Sequence, residues 1–188
     1  APFLGGLPRP PTGRGPLPCA GRRSLVHVDE DNPATRALTV SGLEHSVTRH
    51  GRVGSLAEAA AARGVDPSAI VKTMVVRRSG GDHLFVLVPG DRQISWPKLR
   101  ALLGVNRISL PDADAARNVT GYERGTITPF GSATALPVVA DVRIVGQTIS
   151  IGAGGHGVAA TLSGDDVIAH FAAQGADVTD PGEDRLRG

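Results

Sequence analysis

Cysteine is almost absent from this chain of 188 residues, which contains only Cys19. A single thiol can form no internal disulfide, and it cannot supply the several thiolates of a cysteine-based metal cluster. Because disulfides persist mainly in oxidising compartments, their exclusion leads us to expect a cytoplasmic protein. No apolar run approaches the roughly 20 residues of a membrane-spanning helix, so we expect no membrane partner.

Aromatic residues and lysine are also scarce. One Trp, one Tyr and four Phe must share a core that is otherwise built from Val, Leu, Ile and Ala. The chain uses 18 Arg but only two Lys, at Lys72 and Lys98. In a chain that relies on Arg, a retained Lys indicates a need for a compact ammonium rather than a planar guanidinium.

The formal net charge of +2 is unevenly distributed along the chain. Residues 36–160 hold 14 Lys and Arg against 9 Asp and Glu, whereas residues 161–188 hold 6 acids against 2 Arg. A basic surface attracts the phosphate backbone of a nucleic acid. The alternative is an ordinary solvated surface of mixed charge, and the distribution alone leaves both open.

The composition of the chain predicts a folded middle between two tails. Residues 1–23 contain six Pro and five Gly and show no apolar periodicity, which predicts disorder. We therefore expect an N-terminal tail over residues 1–31, a single folded domain over residues 32–180 and a C-terminal tail over residues 181–188.

Helices and strands are predicted to alternate irregularly within the domain. Ser55 and Glu58 form a capping box before an Ala-rich helix that Gly64 can end. Two strands joined by a hairpin loop at residues 79–82 should follow. The further expectations are helices from Ser95 to Leu103, from Asp112 to about Asn118 and from Ser163 to Gln174, and strands at 71–78, 83–89, 138–140, 148–151 and 158–162. This order predicts an α/β (mixed α+β) domain, in which helices flank a mixed β-sheet.

Lys72 is the first candidate for chemistry, because it lies in an apolar strand. Side-chain alternation places it on the same face as Met74 and Val76, so we expect a partly buried ammonium that meets carbonyls, a carboxylate or a ligand. The alternative is a strand-end lysine whose ammonium reaches solvent. Lys98 lies on a helix face and is predicted to be an ordinary surface residue.

Two glycine-containing segments are further candidates. The long loop from Gly121 to Gly131 could present backbone amides to a carbonyl or oxyanion, although a plain connector fits as well. The segment from Gly152 to Gly157 offers the same chemistry, and its His156 could act as a base, bind phosphate or do neither. No phosphate-binding loop, dinucleotide fingerprint or metal-ligand spacing is present, so we expect no cofactor and no metal.

Taken together, these segments resemble the YbaK/EbsC family, which is related to the editing insertion domain of prolyl-tRNA synthetase. The order and spacing of the segments carry the resemblance, which spans about residues 43–180. The segments are Gly64-Val65-Asp66-Pro67 leading to Val71-Lys72-Thr73, then Thr120-Gly121-Tyr122 with Gly125 to Gly131, and then Ile151-Gly152-Ala153-Gly154 with Gly157.

The resemblance implies a curved YbaK-like sheet with a cleft for the 3′ end of a mischarged tRNA. The implied activity is trans-editing, which is hydrolysis of the ester bond of Cys-tRNA(Pro) or of a tRNA that carries a related small amino acid. The terminal ribose hydroxyl or the thiol of a cysteine substrate would assist the cleavage. Mischarged tRNA and prolyl-tRNA synthetase are the implied partners, and no metal is implied.

The resemblance implies that Lys72 is the active-site lysine. The candidate substrate-binding residues are Tyr122, Gly125, Thr126, Ile127, Thr128, Pro129, Gly131, Gly152, Ala153, Gly154 and His156. Family members that act on cysteinyl-tRNA commonly have Ser at the position of Gly152, and some have aromatics at Ser46 and Ser55. The amino acid is therefore left open, as are a non-catalytic tRNA- or synthetase-binding module and a Schiff-base enzyme that uses Lys72.

Overall fold

The computed structural model describes residues 32–182. The predicted N-terminal tail, residues 1–31, and residues 183–188 of the predicted C-terminal tail lie outside this range. The helices are α1 (Pro33–Ser41), α2 (Leu56–Arg63), α3 (Trp96–Leu103), α4 (Ala113–Thr120) and α5 (Gly164–His170). The strands are β1 (His45–Arg49), β2 (Ile70–Arg78), β3 (His83–Pro89), β4 (Arg92–Ile94), β5 (Ile108–Ser109), β6 (Val138–Asp141), β7 (Thr148–Gly152), β8 (Val158–Ser163), β9 (Gln174–Ala176) and β10 (Thr179–Pro181).

Local capping explains where several helices begin and end. The Ser55 hydroxyl accepts a hydrogen bond from the Glu58 amide at 3.1 Å, and Gly64 ends α2 in the left-handed conformation. Asp112 caps α4 in the same way, through the Ala115 amide. Ser95 precedes α3 as predicted, but its side chain makes no capping bond.

Seven strands form the main path of a mixed sheet in the order β1-β8-β7-β2-β3-β6-β9, and β5 pairs with β2 off this path. The pairs β2–β7, β3–β6 and β6–β9 are parallel, and the other pairs are antiparallel. The short strands β4 and β10 form a second, antiparallel sheet. The predicted mixed sheet with flanking helices is confirmed.

Strand β2 is only partly covered on one of its edges. It pairs with β3 from Val71 to Arg77, but on its other edge it pairs with β7 only at Ile70–Val71 and with β5 only at Arg77–Arg78. Within the described residues, the intervening stretch of β2 therefore has no neighbouring strand on that side. Unpaired backbone groups at such an opening are available to a ligand.

Apolar side chains on the two faces of the sheet pack into separate clusters. Val71 and Val75 of β2 lie in the larger cluster with Phe85 and Phe130. Met74 and Val76, which alternate with them, belong to the cluster beneath α3. The sheet is thus buried on both faces near β2, as parallel pairing requires.

The prediction for the last helix was wrong at its C-terminal end. α5 stops at His170, and Ala172 adopts a left-handed φ of 47° that breaks the helix. Residues 174–176 form β9 instead, because they pair in parallel with Val139–Asp141 of β6. Tertiary pairing here overrides the helical tendency of the sequence. The helix α1 and the strands β1, β4, β5, β9 and β10 were not predicted.

Candidate functional site

A cleft of about 510 Å³ lies at the open edge of β2. Residues from Ile70 to Val75 form its floor, and Arg63 at the end of α2 forms part of one wall. The opposite side is built by residues 110–116, which lead into α4, and by the loop residues Arg124, Gly125 and Ile127. Gly152, at the end of β7, completes the lining. The geometry thus brings segments that are remote in sequence to one opening in the sheet.

Lys72 lies in this cleft, on the same sheet face as Ile70 and Met74. Its ammonium donates a hydrogen bond to the Arg92 carbonyl at 2.6 Å. The side chain as a whole is exposed, whereas its ammonium meets a carbonyl at the mouth of the cleft, as expected for a partly buried lysine. Partial loss of hydration still lowers the pKa of Lys72, against the opposing attraction of the Asp91 carboxylate.

A chain of hydrogen bonds holds the carbonyl that Lys72 contacts. The Arg92 Nε donates to the Thr179 hydroxyl at 2.7 Å, and that hydroxyl donates to the fully buried Asp141 carboxylate at 2.8 Å. Asp141 also accepts from the Val178 amide and pairs with Arg143. β4 and β10 are thereby fastened to the end of β6, and the position of the Arg92 carbonyl is fixed with them.

Replacing Thr179 by Val should destabilise the domain by about 1–3 kcal/mol, because the buried Asp141 carboxylate loses a donor. Thr179→Ser keeps the hydroxyl and should stay within about 1 kcal/mol of the wild type. Urea unfolding followed by circular dichroism gives both values. Equal stability of the Val variant and the wild type would show that this chain of hydrogen bonds does not hold β10.

The loop after α4 is closed by buried hydrogen bonds. The Tyr122 hydroxyl donates to the Phe130 carbonyl at 2.7 Å, and burial raises the pKa of Tyr122 to about 12, so the phenol keeps its proton at neutral pH. The Thr126 hydroxyl donates to the Glu123 carbonyl. Gly125 adopts a φ of 90° beside the cleft, a conformation that favours glycine.

The start of α1 holds both glycine-containing segments in place. Gly131 has a φ of 65°, and a Cβ there would lie under 3.0 Å from the Pro33 carbonyl oxygen. The Asn32 side chain donates to the Ala153 carbonyl at 2.7 Å and also lies against Gly154. The loop walls of the cleft are therefore fastened to a helix that the sequence did not reveal.

The structure brings together only some of the candidate site residues. Lys72, Gly125, Ile127 and Gly152 line the cleft. The remaining candidates support the walls or lie beside them rather than line the cleft: Tyr122, Thr126, Thr128, Pro129, Gly131, Ala153, Gly154 and His156. His156 is exposed, with its Nε2 3.8 Å from the Glu123 carboxylate.

Several cleft residues were not identified from the sequence. In the sequence, Arg63 resembles any basic residue at a helix C-terminus, where the helix dipole favours a positive charge. Thr73 reads as one more β-branched strand residue, yet its hydroxyl is buried without a protein hydrogen-bond partner among the described residues. No sequence signal separated these residues from their neighbours, because the cleft arises from the way β2 and β7 diverge.

Metal sites and membrane spans are both absent from residues 32–182. No group of three or more His, Cys, Asp or Glu side chains there could hold a metal ion. No helix in this range is both long enough and apolar enough to cross a membrane.

Comparison with known proteins identifies the class to which this fold and cleft belong. The family model described as an aminoacyl-tRNA editing domain matches residues 50–169, more than half of the chain. The chain belongs to this aminoacyl-tRNA editing domain family. Membership supports a deacylase as the general class of activity.

Individual relatives point to prolyl-tRNA synthetases. The chain is 33% identical over 145 residues to the proline–tRNA ligase of Syntrophotalea carbinolica, covering 72% of this chain and 25% of the ligase. It is 29% identical over 135 residues to that of Pelobacter propionicus, covering 71% and 23%. The chain thus spans about a quarter of the length of these ligases.

A solved structure extends the likeness to a protein of similar size. The crystal structure of a candidate trans-editing enzyme for prolyl tRNA synthetase superimposes with a TM-score of 0.71 at 25% identity. The match covers 79% of this chain and 97% of that one. It confirms the YbaK-like fold.

Proposed function

We propose that this protein hydrolyses the ester bond of mischarged aminoacyl-tRNA in trans, with Lys72 positioning the tRNA 3′ end. The observation that carries the proposal is the meeting of Lys72 with Gly125, Ile127 and Gly152 around one cleft. These residues come from the three segments that carry the family resemblance. The editing-domain family and the trans-editing structural neighbour support the same reaction.

The chemistry of the cleft lining favours a reaction in which the substrate assists. The described residues that line the cleft include no Ser, Cys or His. They do include the Thr73 hydroxyl and the Asp112 carboxylate, of which Asp112 caps α4 through the Ala115 amide. Water attacks the ester carbonyl, the bond between the acyl carbon and the ribose oxygen breaks, and the ribose oxygen takes a proton. A neighbouring ribose hydroxyl, or the thiol of a cysteine substrate, assists this proton transfer.

Lys72 contributes charge and position rather than a covalent bond. Its ammonium is already held by the Arg92 carbonyl, so two of its donor hydrogens are left for a phosphate or ester oxygen of the substrate. A fixed cation is effective where negative charge develops in the transition state. Its lowered pKa is not needed for this role, because the charged form is the useful one.

The attached amino acid is proposed to be Cys or a related small residue, and the tRNA to be tRNA(Pro). The relation to proline–tRNA ligases supports the tRNA. Prolyl-tRNA synthetase is accordingly the proposed protein partner, in the cytoplasm where charging takes place.

Gly152 offers a test of the amino acid. A Cβ at this position would lie 3.6 Å from the Ile127 carbonyl oxygen, which is an ordinary contact, so Gly152→Ser should fold normally. The new hydroxyl would face the substrate next to the register position of Lys72. We expect the ratio of Cys-tRNA(Pro) to Ala-tRNA(Pro) deacylation to rise about tenfold, the effect of one added hydrogen bond. An unchanged ratio in single-turnover assays would remove Gly152 from the amino acid pocket.

A deacylation panel tests the proposed function as a whole. The substrates are tRNA(Pro) charged with Cys, Ala, Ser or Thr, with Pro-tRNA(Pro) and Cys-tRNA(Cys) as correctly charged controls. Selective loss of one mischarged ester supports the proposal. Binding of every tRNA without turnover would favour a non-catalytic binding module, and borohydride trapping of a carbonyl substrate on Lys72 would favour Schiff-base chemistry.

A further inference from the structure

Arg63 brings a half-buried cation to the cleft, in addition to Lys72 and the exposed Arg124. It is the last residue of α2, it lines the same cavity as Lys72, and its side chain is half-buried. Partial burial lowers the pKa of Arg63, although a guanidinium stays charged at any physiological pH. The cleft therefore contains a cation that has lost part of its hydration.

The side-chain partners of Arg63 are an imidazole and a hydroxyl rather than a carboxylate. Its Nε donates to His50 Nε2 at 3.2 Å, and its Nη1 lies 3.5 Å from the Ser150 hydroxyl oxygen. Among residues 32–182, no carboxylate lies within ion-pair distance of it, whereas Arg143 is held by Asp141 and Asp177. A half-buried cation without a counter-charge is costly unless a ligand supplies one.

His50 fixes the direction in which the guanidinium points. His50 Nδ1 lies 2.8 Å from the Gly51 carbonyl oxygen, which can only accept, so Nδ1 carries the proton. Nε2 is then the acceptor for the Nε–H of Arg63. This arrangement uses the Nε–H and one Nη1–H of Arg63 and leaves the other three donors of the fork for a ligand.

Register places Arg63 near Lys72 on the same face of the sheet. Ser150, over which the guanidinium lies, pairs with Ile70, two residues before Lys72 along β2. Two residues of strand correspond to about 7 Å. Both cations therefore line the cleft from the same face of the sheet, where one extended polyanion can reach them.

We propose that Arg63 is an anion-binding residue of this cleft and takes a phosphate oxygen of the tRNA acceptor end. This inference rests on the proposed function. A carboxylate side chain on the attached amino acid offers the same chemistry, and RNA that carries no amino acid separates the two sources.

Binding of an uncharged acceptor-stem RNA hairpin with a single-stranded CCA end tests the phosphate directly. We expect Arg63→Gln to weaken binding about tenfold at low salt. The slope of log affinity against log salt should fall by about 0.7, the value for one phosphate on a single strand. Fluorescence anisotropy across a salt series measures both quantities, and circular dichroism checks the fold.

Two variants serve as controls. Arg49, the last residue of β1, precedes His50, is exposed and does not line the cleft. Arg49→Gln should therefore leave binding within about twofold of the wild type. Arg63→Lys keeps the charge but not the planar fork, so it should keep the salt slope and recover only part of the affinity. Arg63→Lys also keeps the test decisive if Arg63→Gln fails to fold.

Each outcome has one meaning. If hairpin binding is unchanged but Arg63→Gln loses hydrolysis of Asp- or Glu-charged tRNA selectively, the anion is a carboxylate and Arg63 is still its receptor. Equal losses for Arg63→Gln and Arg49→Gln, or no loss in either assay, would overturn the inference. Because the hairpin carries no amino acid, its binding result stands even if no deacylation is found.

Discussion

Lys72→Ala is expected to lower the single-turnover rate of deacylation by about 10²–10³-fold on the best mischarged substrate, which is the usual effect of removing one well-placed electrostatic contact. The ammonium lies at the mouth of the cleft and is held by the Arg92 carbonyl at 2.6 Å. Its loss should leave the fold intact, because the side chain is exposed and packs in neither core cluster.

Lys72→Arg should not restore the rate, although it restores the charge. A guanidinium is longer and planar, and it cannot place a single compact cation between the Arg92 carbonyl and a substrate oxygen. Arg77→Ala is the matched control, since Arg77 is an exposed cation on the same strand that does not line the cleft. Wild-type rates for Lys72→Ala would remove Lys72 from the proposed mechanism.

Gly131→Ala is expected to cost about 2–5 kcal/mol of unfolding free energy, the largest stability effect that we predict. Its φ of 65° lies in the left-handed region, which costs any residue with a Cβ about 1–2 kcal/mol of conformational free energy. The added methyl would also meet the Pro33 backbone under 3.0 Å, and overpacking against a backbone that cannot yield adds about 1–3 kcal/mol. Urea unfolding monitored by circular dichroism measures the change.

Gly42→Ala separates the two contributions. Gly42 ends α1 with a φ of 71°, and a Cβ there would meet nothing within 4 Å. This variant should therefore show the conformational cost alone, about 1–2 kcal/mol. Equal losses for the two variants would mean that the loop and α1 do not need their close approach.

The parts of the fold that sequence predicted well are those with local signals. The capping box at Ser55 and the left-handed Gly64 bound α2 on chemistry that lies within a few residues. The hairpin between β2 and β3 was also predicted from the sequence, because a short polar turn separates two apolar runs. Such features depend little on the rest of the chain.

The parts that were missed depend on distant partners. β9 exists because β6 offers a parallel edge, and its three residues, Gln174, Gly175 and Ala176, carry no strand pattern of their own. β4 and β10 are three residues long and hold each other through Arg92 and Thr179. A strand so short has too few side chains to show a period of two.

The residues of the candidate site likewise fall into those that the sequence indicated and those that depend on distant partners. The scarcity of lysine and the family resemblance both single out Lys72 in the sequence, and its catalytic role remains a prediction. Arg63 was not predicted, because its importance depends on His50 and Ser150, which contact it only in the folded chain. The extent to which Lys72 is exposed was not predicted, because an apolar strand does not show where the residues that cover it end.

The attachment of β4 to β10 also determines when the cleft of a newly synthesised chain can become ordered. A ribosome delivers Lys72 and Arg92 long before it delivers Thr179, which joins Arg92 to Asp141. Residues 50–169, the segment that the family model matches, could emerge and pair without the strand that holds the Arg92 carbonyl. A nascent chain at that stage would possess the main sheet without β9, and the open edge of β2, but not a fixed ammonium. Synthesis itself would then delay the ordering of the cleft until β10 had left the exit tunnel.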